Sequence, residues 1–491
     1  MDGAFRFDVL ATLEELAAQR PDWPANITQD RSVSFAELFE RVKSWVVLLQ
    51  DNGVSPGHRV ALTLPDEMLH LEVSWAIAAC GAASFCLASF RTQDQRARMA
   101  ETAAVDFHLI ADPIFGVKSA KNVIIREDLR PTTHGPVSGH AFDDSNAEFL
   151  LFSTSGTTAA PKIFARKVGQ LGPAVRAARI SFDEMYAQHQ EQCILLRGGS
   201  VEYDNHRISR FNQVLSGGAN SIMQPFTPVG ISEFCDATGV TVLSIGGYWL
   251  QAWLSDPNAT RLSDKVLLSV GGAPVPRDQR RAVLEQITET FHLNYATSEL
   301  GVISTALPDD HLKAENCIGL PNPGYQVSLR DAQGHEVEQG QTGTAWVRTT
   351  SGLQDYISGE TGANSDGWFC TGDVLSVLPD GCLEFHGRRD DMFLMNGINI
   401  FPAAIEKCLL ALPYVDEAVA YGIPSPQHGH IPAASVVLTT DGTAATQAEI
   451  LKHCRHDLGL QFPRRLDIRD SIPKNEQGKP LRRVLIDEVS L

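Results

Sequence analysis

The chain has 491 residues, of which 43% are hydrophobic and 20% are charged, a composition typical of a globular protein with two or more domains. Lysine and arginine number 41 against 59 aspartate and glutamate residues, so the formal net charge is −18. This excess of acid excludes a general attraction for nucleic acid or for anionic membrane surfaces.

We expect no secretory signal or membrane span. The first ten residues lack a basic region followed by an apolar run, and the longest uncharged stretch, 74–90, is too short and too rich in small residues to span a membrane. A buried helix running into a strand explains that stretch better. Nine cysteines without a CxxC pair or metal-ligand spacing predict reduced thiols and a cytoplasmic location.

Elements of strand and helix alternate through the first two thirds of the chain. Ser34 and Glu37 form a capping-box pattern before a run with helical spacing that ends near Gly53. Apolar strand patterns follow at 59–64, 83–88, 149–152, 194–196, 240–243 and 266–270. This alternation predicts layered α/β subdomains with mainly parallel sheets.

After about Gly319 the sequence pattern changes, and it predicts short strands separated by turns, with Asp380-Gly381 as a hairpin turn. Beyond the charged stretch 387–391, helix and strand patterns resume. We therefore predict a large N-terminal domain, 1–387, that includes a small β-rich subdomain, and a small mobile α+β C-terminal domain, 388–491.

A hydroxyl-rich loop follows directly on the apolar strand 149–152. Residues 153–162 read STSGTTAAPK, and small residues, hydroxyls, backbone N–H groups and one lysine suit a polyphosphate. The loop lacks the Gly-Lys-Ser/Thr ending of a Walker motif, which disfavours an ordinary NTPase. A Ser/Thr-rich turn without function is the alternative reading of this composition.

Six short segments follow one another along the chain: STSGTTAAPK at 153–162, GGAP at 271–274, YATSE at 295–299, TGD at 371–373, GRRD at 387–390 and PKNEQGK at 473–479. In their residues and their order they resemble the adenylate-forming superfamily of acyl- and aryl-CoA synthetases, non-ribosomal adenylation domains and firefly-type luciferases. The resemblance spans nearly the whole chain and is strongest to a stand-alone acyl- or aryl-CoA ligase.

The resemblance implies a role for each matched position. It assigns the ATP phosphates to Ser153, Thr154, Ser155, Gly156, Thr157, Thr158 and Lys162; the adenine to Gly272, Ala273, Pro274 and Tyr295, with Ser298 beside it; the ribose to Asp373 and Arg388; and Mg²⁺ to Glu299. It also implies that Asp390 is the hinge and that Lys479 is the adenylation lysine. Lys479, Lys162 and Mg²⁺ would offset the charge that builds up when a carboxylate attacks the α-phosphate.

The candidate acid pocket has two readings. Its predicted lining is Tyr203, Asp204, His206, Gly246, Gly247, Tyr248, Ala296 and Thr297. His206 falls where acyl- and aryl-CoA ligases carry a histidine beside the acyl group, whereas Tyr203-Asp204 falls where amino-acid-activating domains carry Phe-Asp. We favour a fatty or aromatic acid and keep an amino or β-amino acid as the alternative.

Five positions depart from the family pattern. Ala159 and Ala296 replace glycines, Ser298 replaces a threonine, and Leu394 and Ala404 replace polar or acidic residues in the segment that rearranges for thioester formation. These last two weaken the prediction for the second half-reaction more than for the first.

The sequence thus predicts an AMP-forming acid–thiol ligase that uses ATP and Mg²⁺ and passes an acyl group to CoA or to the phosphopantetheine of a carrier protein. Its expected partners are a small carboxylic acid, ATP, CoA and possibly a carrier protein, with no nucleic acid. An oxidative luciferase-like enzyme and a non-catalytic nucleotide-binding member of the fold are the alternatives from other classes.

Overall fold

The structure is a computed structural model. It describes residues 5–132, 135–153, 163–171, 175, 192–273, 275–349, 363–364, 366–389, 391–395, 398–425, 427–439, 446–474 and 480–490. The chain divides into two compact units, the first mainly Met1–Ser155, Pro161–Lys313 and Thr349–Gly367, the second mainly Ala314–Arg348 and Trp368–Leu491. The domain boundary between 387 and 388 that we expect from the sequence remains a prediction.

The first unit is an α/β structure. Its helices are α1 (Val9–Gln19), α2 (Phe35–Asp51), α3 (Glu67–Ala79), α4 (Gln93–Thr102), α5 (Asp204–Leu215), α6 (Ile231–Thr238), α7 (Gly247–Leu254) and α8 (Arg277–Ala282). Its strands are β1 (Pro24–Ile27), β2 (Ser32–Ser34), β3 (Arg59–Thr63), β4 (Ala83–Cys86), β5 (Phe107–Ile110), β6 (Lys121–Ile124), β7 (Glu148–Ser153), β8 (Ile163–Lys167), β9 (Ile194–Arg197), β10 (Ala219–Ser221), β11 (Val242–Gly246), β12 (Leu267–Gly271), β13 (Phe291–Thr297) and β14 (Gly301–Ala306).

These strands form two largely parallel sheets. One has the order β6-β5-β3-β4-β7-β8, with β8 antiparallel at the edge; the other runs β14-β13-β12-β11-β9-β10-β1-β2, with β2 and β14 antiparallel at its ends. The layered α/β fold expected from the alternating pattern is confirmed. The uncharged stretch 74–90 is the end of α3 followed by β4, which is the predicted helix running into a strand.

Local chemistry explains how α2 begins and ends. The Ser34 hydroxyl accepts the Glu37 N–H at 3.2 Å, which satisfies one of the donors left unpaired at a helix start. The carboxylate of Glu37 binds Arg31 at 2.6 Å. Gly53, with φ +95°, follows the last turn in a conformation that favours glycine. Leu38, Trp45 and the other apolar residues of the helix then reach the main core.

The second unit contains two sheets. Strands β15 (Cys317–Pro321), β16 (Tyr325–Arg330), β17 (Gly343–Thr349), β18 (Phe369–Val377) and β19 (Leu383–Arg388) follow the order β16-β17-β18-β19-β15. Strands β20 (Phe393–Met395), β21 (Ile398–Ile400), β22 (Val415–Ser425), β23 (Gly429–Leu438) and β24 (Arg465–Arg469) form the other, with helices α9 (Pro402–Leu410), α10 (Gln447–Leu458) and α11 (Arg482–Ser490).

The predicted hairpin turn at Asp380-Gly381 joins β18 to β19. Asp380 accepts the Cys382 N–H at 3.1 Å, and Gly381 has φ +88°. Among the helices that the structure describes, none has the length and apolarity to cross a bilayer.

Candidate active site

The carboxyl ends of four adjacent parallel strands of the first unit, β9, β11, β12 and β13, form one edge of the second sheet. Ligands of open α/β sheets bind at this edge because the loops that leave it are free to contact them. The predicted segments 246–248, 272–273 and 295–299 all leave or end these strands here. The sheet topology therefore brings together residues that the sequence separates by about fifty positions.

The two faces of this sheet differ in polarity. Leu196, Leu243, Ile245, Leu268 and Val270 belong to the apolar core on one face. Because successive side chains alternate, the other face carries Arg197, Ser244, Gly246, Ser269, Gly271 and Asn294. Hydroxyl, amide and guanidinium groups lie beside two glycines on this face, and the space that the glycines leave suits a pocket for a polar ligand.

Ser153, the first residue of the predicted phosphate loop, is held by an aspartate on α5. Asp204 accepts the backbone N–H of Ser153 at 2.9 Å and lies 3.4 Å from the Ser153 hydroxyl. Arg207, one turn along the helix, pairs with Asp204 at 3.2 Å. Burial raises the pKa of Asp204, while Arg207 and the Ser153 N–H favour its charged form. Asp204 thus holds the end of β7 in place.

Arg207 is a site residue that the sequence reasoning missed. Its side chain is fully buried, and besides Asp204 it donates to the Leu151 carbonyl and the Ser84 hydroxyl, each at 3.1 Å. It therefore ties β4, β7 and α5 together. The signal available in the sequence was an Asp and an Arg three residues apart, a spacing that is common on exposed helix faces as well.

Tyr203 and His206, two of the predicted lining residues, lie at the start of α5. The Tyr203 ring packs on Phe90 with centroids 5.1 Å apart and on His206 at 5.6 Å. A Cβ on Gly199 would lie 2.5 Å from the His206 ring, so only glycine fits there. Burial, together with the charges of Arg197 and Arg210, lowers the pKa of His206 well below its ordinary value. His206 is therefore neutral at neutral pH.

Gly246 and Gly247 open a space at the end of β11. A Cβ on Gly246 would find its nearest neighbour, the Gly271 carbonyl, 4.0 Å away, whereas one on Gly247 would lie 3.1 Å from the Ala273 Cβ. The Tyr248 side chain is 56% exposed and packs edge-on against Trp249. Gly246 thus leaves room that a larger side chain would fill.

The adenine segment and the tyrosine motif lie at the neighbouring strand ends. Gly272, with φ +84°, and Ala273 are exposed after β12, while Tyr295 is 9% exposed within β13. The Ser298 carbonyl accepts from Arg166 at 3.2 Å. Arg166, which we did not single out in the sequence, therefore anchors the turn after β13.

The turn after β13 also carries the predicted metal ligand. Glu299 is half-buried in it, with Ala296 exposed two residues before Ser298. The Thr297 hydroxyl accepts the Leu300 N–H at 3.2 Å, which closes the turn. A carboxylate oxygen is the ligand that Mg²⁺ prefers, so the residue present fits that ion.

In the second unit, Asp373 and Arg388 face each other across β18 and β19. They are register partners, and an Arg388 Nη1 lies 3.4 Å from an Asp373 Oδ1. Asp373 is 4% exposed, whereas the side chain of Arg388 is 43% exposed. A carboxylate is an acceptor only, so it can bind two vicinal hydroxyl groups, as on a ribose.

The remaining predicted site residues lie outside the described residues. They are Thr154, Ser155, Gly156, Thr157, Thr158, Lys162, Pro274, Asp390 and Lys479. Of the departures, Ala159 also lies outside them, while Ala404 is an exposed residue of α9. The roles that we assign to all these positions remain predictions.

Comparison with known proteins identifies the family. The family model "AMP-binding enzyme" matches residues 13–357, and "AMP-binding enzyme C-terminal domain" matches residues 404–479. A long-chain-fatty-acid–CoA ligase of Yersinia pestis is 35% identical over 266 residues, which cover 52% of this chain but only 45% of that enzyme. A 2-succinylbenzoate–CoA ligase of Geobacillus kaustophilus (strain HTA426) is 25% identical over 96% of both chains.

Solved structures share the fold over nearly the full length. The o-succinylbenzoate CoA synthetase (MenE) of Bacillus subtilis, solved with the acyl-adenylate intermediate OSB-AMP, has a TM-score of 0.87 at 22% identity and covers 98% of each chain. The same enzyme has also been solved with ATP and a magnesium ion, with a TM-score of 0.86 at 22% identity over 98% of each chain. The predicted superfamily, fold class and enzyme class, an AMP-forming acid–thiol ligase, are confirmed. The chain belongs to the AMP-binding enzyme family.

Proposed function

We propose that this enzyme activates a fatty or aromatic carboxylic acid with ATP and transfers the acyl group to the thiol of CoA. In the first step a carboxylate oxygen attacks the α-phosphorus, the bond to the β-phosphate breaks, and pyrophosphate leaves. In the second step the thiol sulfur attacks the acyl carbon of the acyl-AMP, releases its proton, and displaces AMP. No side-chain nucleophile is needed in either step.

The single observation that carries this proposal is the Asp373–Arg388 pair. A buried carboxylate in the middle of β18 is held by Arg388 at the end of β19, whose guanidinium reaches solvent. Gly372 has φ +75°, and its carbonyl accepts the Arg389 N–H at 2.7 Å, which fixes the backbone on both strands. This geometry suits a ribose that approaches from the solvent side and binds through its two hydroxyl groups.

The catalytic role falls to positive charge. Attack on the α-phosphate builds negative charge on the phosphate oxygens, and Lys162, Lys479 and an Mg²⁺ held by Glu299 would offset it. Mg²⁺ supplies the electrostatic stabilisation of the phosphates when it is bound. Asp204 and Arg207 hold Ser153, the first residue of the segment that would carry the phosphates.

The internal partners of Asp204 support an acid without an α-amino group. The carboxylate already accepts the Ser153 N–H and pairs with Arg207. To grip a substrate ammonium group it would have to leave these partners while still buried, which is costly. The amino- and β-amino-acid alternative therefore has weaker support.

Acid-dependent pyrophosphate release tests the proposal. The panel contains fatty, aromatic, amino and β-amino acids, and the assay is repeated with CoA and with a phosphopantetheinylated carrier protein as acceptor. We expect release with a fatty or aromatic acid and thioester formation with CoA. Nucleotide binding without release for any acid would favour a non-catalytic member of the fold, and transfer only to the carrier protein would overturn CoA as acceptor.

Replacing Lys479 separates the two half-reactions. The variant Lys479→Ala should lower adenylation by about 100- to 1000-fold, the cost of losing one transition-state charge, yet leave thioester formation from supplied acyl-AMP within about threefold. The neighbouring exposed Arg483→Ala serves as the control and should change neither rate. Equal loss of both half-reactions in Lys479→Ala would contradict a role confined to the first step.

A further inference from the structure

Arg197 is the last residue of β9, so it lies where the carboxyl ends of the parallel strands of the second sheet meet. Its Nη1 donates to the Ser244 hydroxyl of β11 at 2.6 Å, and its Nε is buried without a hydrogen-bond partner. Arg197 and Ser244 are register partners, so they share the polar face of the sheet. An arginine carries five donors in a fixed fork, and this contact with Ser244 occupies one of them.

The charge of Arg197 is not balanced by the groups around it. Among the described residues, the charge that acts on Arg197 is that of Arg210, which has the same sign and pairs with Glu67 at 3.1 Å. Throughout the part of the chain that the structure describes, no carboxylate pairs with Arg197. Burial, and then Arg210, lower the pKa of Arg197 to about 10, so the guanidinium is still protonated at neutral pH.

Arg197 is also adjacent to the candidate acid pocket. Its charge acts on His206, one of the predicted lining residues. Ser244 lies two residues before Gly246 on the same face of β11, and the glycine, which has no side chain, leaves space there. His206 cannot serve as the counter-charge, because an imidazole is either neutral or cationic.

A half-buried cation with free donors and no internal anion is costly to keep unless a ligand supplies the anion. We propose that Arg197 binds a second carboxylate of the acid substrate, so that the enzyme selects acids carrying two carboxylates, one to be adenylated and one held by Arg197. This inference rests on the function proposed above and narrows it to one class of acid. The planar fork of the guanidinium matches a carboxylate with two parallel hydrogen bonds.

Matched pairs of acids test this assignment by initial rates of pyrophosphate release. The pairs are the straight-chain acids from butyrate to decanoate with the α,ω-diacids of equal length, and benzoate with its carboxyl-substituted forms. For the best diacid we expect a kcat/KM about 10- to 100-fold above that of its monoacid partner, the range of a charge-assisted hydrogen-bonded pair. Arg197→Met should abolish this preference by lowering the diacid rate while the monoacid rate holds.

Two further variants keep the result interpretable. Arg197→Lys retains the charge but not the fork, and should keep part of the preference. Arg261→Met, which removes an exposed arginine paired with Glu289, should leave both rates unchanged. An equal loss of both rates in Arg197→Met would show that Arg197 only supports the fold, and a wild-type enzyme that prefers monoacids would overturn the inference while leaving adenylation intact. Absence of release with every acid would overturn the proposed function as well.

Discussion

Two aspartates that the family resemblance places at ligands have opposite surroundings. Asp204 in the first unit is held by a fully buried arginine and by the Ser153 N–H. Asp373 in the second unit is paired with Arg388, whose side chain is 43% exposed. The sequence presents both as a single aspartate beside small or polar residues, yet the first fixes the protein backbone and the second faces a partner that reaches solvent.

The difference teaches how to recognise a ligand-binding carboxylate on this fold. Where the counter-charge and the donors are internal and buried, removing them damages the protein. Where the counter-charge is half-exposed, its removal costs little stability, and we propose that such a pair is the one that meets a ligand. The four predictions below follow from this contrast.

The largest expected effect is on stability in the first unit. Arg207→Met leaves Asp204 buried without its counter-charge and should lower the free energy of unfolding by about 3–5 kcal/mol. The matched variant Arg388→Met breaks an ion pair with a half-exposed partner and should cost about 1 kcal/mol or less. Urea denaturation followed by circular dichroism measures both, and similar losses in the two variants would contradict the contrast.

The second prediction concerns ATP use through Asp373. Asp373→Asn keeps the shape but loses the charged acceptor, so kcat/KM for ATP should fall about 100-fold, or about 2.7 kcal/mol, while stability stays within about 1 kcal/mol. Asp416→Asn, at an exposed strand position of the same unit, is the control and should change neither kcat/KM for ATP nor stability. An unchanged KM for ATP in Asp373→Asn would contradict the proposal that this carboxylate binds the ribose.

The third prediction extends the contrast to glycines. Gly246 has φ −81°, and a Cβ there meets no atom closer than 4.0 Å, so Gly246→Val should fold normally. By filling the pocket it should lower kcat/KM for bulky acids about tenfold relative to small ones.

Gly199→Ala is the opposite case, because φ is +105° and the Cβ would lie 2.5 Å from the His206 ring. We expect the free energy of unfolding to fall by about 1–3 kcal/mol. A stable Gly199→Ala protein would contradict this packing.

The smallest effect is a pH dependence from His206. Its folded-state pKa is well below 6.5, so between these values the unfolded chain binds a proton that the folded chain does not. Stability is therefore fully present above about pH 6.5 and falls with pH by up to about 1.4 kcal/mol per unit for this group. His206→Asn should reduce that slope between about pH 5 and 6.5 in urea titrations, and an unchanged slope would show that His206 is protonated in the folded protein.

Much of the fold followed from the sequence because it rests on local patterns. The spacing of Leu38, Val42 and Trp45 predicted α2, and Asp380-Gly381 predicted the β18–β19 turn, since helix periodicity and turn residues act over a few positions. The family resemblance also singled out Asp373 and Glu299, because it depends on short ordered segments, and their roles remain predictions. In contrast, Arg197 and Arg207 could not be singled out, because the partners that give them a role lie far away in the sequence.

By itself the sequence determined the family, the alternation of helix and strand, and which residue types are offered to a nucleotide. The tertiary structure alone decided which partners those residues have, because it brings groups together over long separations. Asp204 meets Ser153 across 51 positions, and Arg197 meets Ser244 across 47. Whether a charge is neutralised inside the protein or stays available to a ligand depends on such partners, and no local pattern encodes them.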